Sequence, residues 1–103
     1  MLFIIQIETS VPADMPEDKK EHLRNRELER ACDLIGLGKL RRIWRIVGKV
    51  GSCSVWETDT LEELHALLHS LPYFPYMKIS VMPVIHHPAA QLYVERHGAL
   101  PVF

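Results

Sequence analysis

Between Leu2 and Glu8, Phe3, Ile5 and Ile7 share one face of the chain and Leu2, Ile4 and Gln6 the other, and this period of two predicts a first β-strand. Its first half is apolar on both faces, so the sheet it joins needs cover on both sides. Val11-Pro12-Ala13 is a connector. Asp14 is the expected cap of a helix whose first turn holds Pro16 and Glu17 and which Gly36 and Gly38 stop after about Ile35. Alternation returns over Leu40–Lys49 and over Ser52–Glu57, with Gly48 and Gly51 bracketing the turn between them. Thr60 and Glu63 read as a capping box for a second helix through Leu71, on which Leu61, Leu64, Leu67, Leu68 and Leu71 follow helical spacing. Met77–Ile85 reads as a fourth strand. Residues 90–103 carry weaker patterning and read as an arm that lies across a neighbouring subunit.

The element order β-α-β-β-α-β is that of the ferredoxin-like fold, an α+β class with two helices on one face of the sheet. The other face is then bare. Leu2, Ile4, Met82 and Val84 are expected there, and their burial calls for a partner sheet, hence an oligomer.

At 103 residues the chain has room for one domain, assigned to residues 1–89, followed by the arm. A net charge of −1 gives no electrostatic case for nucleic acid or an anionic membrane. Met1–Ile7 is too short to span a bilayer and lacks the basic start of a signal peptide. The two cysteines, Cys32 and Cys53, have neither CxxC nor metal spacing, so a reduced, cytoplasmic chain is expected.

Among thirteen acidic residues, Glu27 stands apart. On a helical wheel it falls inside the arc formed by Leu23, Leu28, Ala31, Cys32, Leu34 and Ile35. A carboxylate placed there is partly desolvated, which raises its pKa and strengthens it as a base. The plainer alternative is a surface Glu that pairs with Arg24 or Arg30. Two blocks add chemistry. Arg41-Arg42-Ile43-Trp44-Arg45-Ile46-Val47-Gly48 alternates like a strand but gives three of its eight positions to guanidinium groups, which suit a carboxylate ligand. Pro72-Tyr73-Phe74-Pro75-Tyr76 cannot continue a helix or enter a central strand, yet it holds three aromatics on a rigid turn. His65 and His69 stand at i, i+4, a spacing that can bind metal, but no further ligand is evident and they read as a solvated face.

These two blocks, with Met1-Leu2-Phe3 and His86-His87-Pro88, resemble the muconolactone delta-isomerase family, small enzymes of the catechol branch of the beta-ketoadipate pathway, over about residues 1–89. The resemblance implies a cofactor-free, metal-free isomerase of the dimeric α+β barrel type, assembled as dimers and further into decamers. It implies Glu27 as the catalytic base, His87 as a second proton handler, and Arg41 and Arg45 as cations for a small lactone substrate. Trp44 is expected as a pocket wall, with Tyr76 and Ser54 as further substrate contacts. In a regular strand Arg41, Ile43 and Arg45 share one face and Trp44 the other, so Trp44 and Arg45 reach one pocket only through a bulge or a site shared between chains. Ser52, Arg42 and Lys78 depart from the residues usual in the family. They leave a substituted or chlorinated muconolactone, or another butenolide, open as the substrate, the chlorinated one by dehalogenation. A non-catalytic oligomer that binds a small ligand is the alternative from another class.

Overall fold

A computed structural model describes residues 1–101; the last two residues of the expected arm, 102 and 103, lie outside the described residues. Four strands, β1 (Leu2–Thr9), β2 (Leu40–Arg45), β3 (Gly51–Glu57) and β4 (Met77–Val84), form one sheet in the order β2-β3-β1-β4, every neighbouring pair antiparallel. Helix α1 (Glu17–Gly36) links β1 to β2, and α2 (Leu61–His69) links β3 to β4. A third helix, α3 (Pro88–His97), follows β4.

The alternation in β1 decides which face is which. Phe3, Ile5 and Ile7 are buried, and together with Trp56, Leu40 and the helical residues Leu34, Leu64 and Leu68 they make the core. Across the register, Ile7 aligns with Ser52 and Ile79, and Ile5 with Ser54 and Val81, so these share the helix-covered face. Leu2, Ile4, Met82 and Val84 lie on the open face, as the pattern predicts, with Val55 beside them, and Met82 remains 54% exposed.

Several boundaries differ from the sequence reading, each for a local reason. Asp14 does not cap α1. Pro16 is the N-cap, extended at φ −58° and ψ 144°, without a side-chain bond, and Glu17 and Asp18 supply negative charge to the first turn. β2 ends at Arg45, where Ile46 N–H donates to the Gly51 carbonyl and Gly48, at φ 82°, turns the chain back. A Cβ on Gly51 would sit against the Ile7 carbonyl oxygen, so glycine is required where β3 meets β1. α2 stops at His69, and its capping residue behaves as expected: Thr60 Oγ1 accepts from Glu63 N–H at 3.0 Å. The end of the expected domain and most of the arm, residues 88–97, are helical. His87 Nδ1 accepts from Ala89 N–H at 3.0 Å, Pro88 fills the first helical position and Gly98 ends the helix at φ 86°. No residue of α3 is buried, and the molecule extends over 55 × 30 × 22 Å.

Candidate active site

The wheel placed Glu27 within an apolar arc, and the structure rotates that arc. Lys20, Leu23, Glu27, Arg30 and Ala31 are half-buried and Leu34 is buried, so Glu27 stands in the middle of the covered stripe. Leu28, Cys32 and Ile35, which the wheel grouped with the core, face outward, Leu28 being 58% exposed.

Glu27 meets the turn that enters β4. Its Oε1 accepts from the backbone N–H of Tyr73 at 2.9 Å. One helical turn on, Arg30 Nε donates to Ser70 Oγ at 3.0 Å, joining the same side of α1 to the end of α2. The turn is firm: Phe74 N–H donates to the Leu71 carbonyl, Tyr76 N–H to the Tyr73 carbonyl, and Ser10 N–H to the Tyr76 carbonyl. Burial raises the pKa of Glu27 above its ordinary 4.5, and the Tyr73 N–H, which favours the charged form, works against that rise. A half-buried carboxylate of raised proton affinity, held through one oxygen, is equipped to accept and return a proton.

The arginines separate. The register shifts between Leu40, opposite Trp56, and Arg42, opposite Val55, which marks a bulge at Arg41. Beyond it, Ile43 and Arg45 fall on the covered face and Trp44 on the open face, opposite Cys53. The anticipated bulge thus exists, but it brings Arg45 rather than Trp44 to Glu27's side of the sheet. Arg45 ends β2 at the same end of the sheet as the start of β4, on a register row with Ser52, Ile7 and Ile79, β2 and β4 being the two edge strands. It forms no ion pair among the described residues. Arg41 lies at the other end, about 13 Å away at 3.3 Å per residue. Its Nη1 donates to Glu57 Oε1 at 2.8 Å.

The remaining candidates take diverse positions. Ser54 is buried, its Oγ donating to the Ile5 carbonyl at 3.3 Å and accepting from Trp56 Nε1 at 2.9 Å. Tyr76 is half-buried in the turn. His87 is exposed and caps α3. His69 packs against Phe74, with ring centroids 4.4 Å apart. Of the three departures noted above, Ser52 alone lies on the covered face, directly across from Arg45; Arg42 and Lys78 are on the open face. The sequence reading missed the Tyr73 N–H. Its signal was Pro72 and Pro75, which fix a turn and so fix the direction of the amide between them.

The chain is similar to known proteins in sequence and in fold. A family model described as Muconolactone delta-isomerase matches residues 1–90. The muconolactone delta-isomerase of Acinetobacter baylyi is 38% identical over 90 residues, covering 87% of this chain and 94% of that protein. Its counterpart from Cupriavidus pinatubonensis is 37% identical over 90 residues, covering 87% and 98%. A crystal structure of muconolactone isomerase superimposes with a TM-score of 0.82 at 38% identity, over 86% of this chain and 93% of that one. A dehydrochlorinase from Burkholderia phenoliruptrix, solved with 2,5-dihydroxybenzoquinone, shares the fold at TM-score 0.65 and 17% identity, over 86% and 98%.

Proposed function

The chain belongs to the muconolactone delta-isomerase family, and we propose that it moves the ring double bond of muconolactone to give 3-oxoadipate enol-lactone, with Glu27 carrying the proton. The observation that carries this reading is the half-buried Glu27 carboxylate, of raised proton affinity, on the covered stripe of α1.

The chemistry asks for little more. The γ-hydrogen of the butenolide ring is acidic because its loss gives a dienolate spread over the ring and the lactone oxygen. Glu27 takes that proton, and the protonated carboxyl returns it to the α-carbon, leaving the double bond between the β- and γ-carbons. No atom is gained or lost, and no cofactor enters. Arg45 holds the substrate's acetate arm. Tyr76, in the adjoining turn, donates its hydroxyl towards the lactone oxygen, where charge develops. In this reading Arg41 secures the bulge through Glu57, Ser54 braces the sheet beneath the pocket, and His87 is the next proton handler in line.

The working form is an oligomer of ferredoxin-like subunits in the cytoplasm. Exposed Trp44 and Met82, beside Leu2, Ile4, Val55 and Val84, support a second copy packed on the open face. The arm, with Leu92 and Tyr93 exposed, reaches a neighbour. The unpaired thiols of Cys32 and Cys53 suit a reducing compartment. Incubating the purified protein with muconolactone, with a ring-substituted and a chlorinated analogue alongside, tests the assignment. Enol-lactone formation from muconolactone is expected. Turnover of the chlorinated lactone alone, with release of chloride, would replace isomerisation by dehalogenation.

A further inference from the structure

Glu27 is held from outside its own helix. The donor, Tyr73 N–H, comes from 46 positions further along the chain and bonds Oε1 at 2.9 Å. Tyr73 has φ −79° and ψ −2°, the second corner of a turn closed by the Phe74-to-Leu71 bond at 2.9 Å. Pro72 fixes the corner before it, and Ser10 N–H ties the far side of the turn to the end of β1. Arg30 with Ser70 fastens the same stretch to α1 a second time. A main-chain N–H on such a frame cannot rotate away as a side-chain donor can.

Two consequences follow for the carboxylate. With Oε1 engaged by a fixed donor, the plane of the group and the direction of Oε2 are set together. The donor also favours the charged form, opposing burial. No ion pair involves Glu27 among the described residues. The charged side chains near it on α1 are Arg24 and Arg30, the latter bonded to Ser70, and the titratable groups of the facing turn are the phenols of Tyr73 and Tyr76.

We infer that the Tyr73 main-chain amide is the positioning group of the base: it occupies Oε1 and leaves Oε2 alone to take the proton from the γ-carbon and deliver it to the α-carbon. This rests on Glu27 being the base. The amide does not touch substrate, and the Tyr73 side chain is not required for the role.

The test replaces that one N–H by oxygen. Cys53 allows the full chain to be assembled by ligating a recombinant 1–52 thioester, carrying ¹³C-labelled glutamate, to a synthetic 53–103 segment with an ester in place of the Pro72–Tyr73 amide. The labelled Glu27 carboxyl should titrate at higher pH in the ester variant than in the all-amide chain, and the acid limb of kcat/KM should move upward with it. The plateau kcat should fall about tenfold as orientation is lost, with KM little changed. A purely structural bond would lower Tm and move the midpoints but leave the plateau kcat in place, and an unchanged plateau kcat overturns the inference. Should the ester variant fail to fold, the unmodified protein decides: the Tyr73 amide proton shift should titrate with the same midpoint as the Glu27 carboxyl, and a flat amide shift contradicts the proposal. Full activity in Glu27→Gln would remove the base assignment; an inactive Glu27→Gln beside an ester variant with unchanged plateau kcat would remove only the amide's role.

Discussion

Arg45 stands directly across the β2–β3 ladder from Ser52, and Ser52 in turn stands across from Ile7, so the guanidinium belongs to the face that α1 and α2 cover. Arg41, four residues earlier, is separated from it by a bulge and bonded to Glu57. The two arginines therefore have different expected phenotypes. Arg45→Ala should raise KM for muconolactone about ten- to a hundredfold, the range for losing a charge-assisted hydrogen bond, with circular dichroism unchanged. Arg45→Lys should recover only part of this, since an ammonium group lacks the two-pronged geometry. Arg41→Ala should change KM much less. Steady-state kinetics on the three variants checks the assignment, and equal KM effects at the two positions would undo it.

The raised pKa of Glu27 also has a sign in stability. Between its ordinary 4.5 and the higher folded value, the native state holds a proton that the unfolded chain has released, so stability falls as pH rises through that window. Above it the charged, half-buried carboxylate is a standing cost. Glu27→Gln keeps an acceptor for Tyr73 N–H and removes that cost. The variant should therefore melt at a higher Tm than wild type at neutral pH, with the gain fading below pH 4.5. Thermal melts across pH would show this crossing.

Glu63 behaves in the opposite sense. Its carboxylate accepts from Lys39 Nζ at 3.0 Å and from Asp59 N–H at 3.3 Å, and these bonds hold its pKa below 4.5. Its contribution is present above that value and lost as pH falls through the folded pKa. Glu63→Gln should lower Tm at neutral pH and converge with wild type in acid, which the same melts would record.

The open face predicts assembly. Met82→Glu or Ile4→Lys sets a charge among Leu2, Val55 and Val84 and should dissociate the oligomer without unfolding the subunit. Light scattering of wild type and variants reads this directly. A well-folded wild-type monomer of 11.9 kDa at micromolar concentration would contradict it.

Where one periodicity governed, the sequence was readable. β1, the Leu64 and Leu68 stripe of α2, and the apolar residues of the open face all follow from patterns that burial alone enforces. The Thr60 cap was legible because its chemistry is local. Three features were not. The bulge at Arg41 inverts the parity of all that follows in β2, and no local residue announces it. The covered arc of α1 is rotated from the purely apolar one because the stripe includes Lys20, Glu27 and Arg30, polar residues that reach partners or water past apolar stems. Helix α3 was passed over although Pro88 and Gly98 mark its two ends, since its apolar residues form no buried stripe within one chain. In the site, Glu27 could be singled out, but its partner is a backbone group 46 positions distant that only the fold brings near.

A single-base reaction depends on one carboxylate, Glu27, to carry the proton. Glu27→Gln preserves the shape and the bond from Tyr73 while removing the base, and general-base contributions of about 10²–10⁴ in rate set the expected loss in kcat with the assembly intact. Following muconolactone by NMR in deuterated water gives the decisive reading. The wild type should transfer part of the γ-hydrogen directly to the α-carbon, and Glu27→Gln should abolish both turnover and transfer. Near-wild-type isomerisation by Glu27→Gln would place the base elsewhere, with His87 next in line.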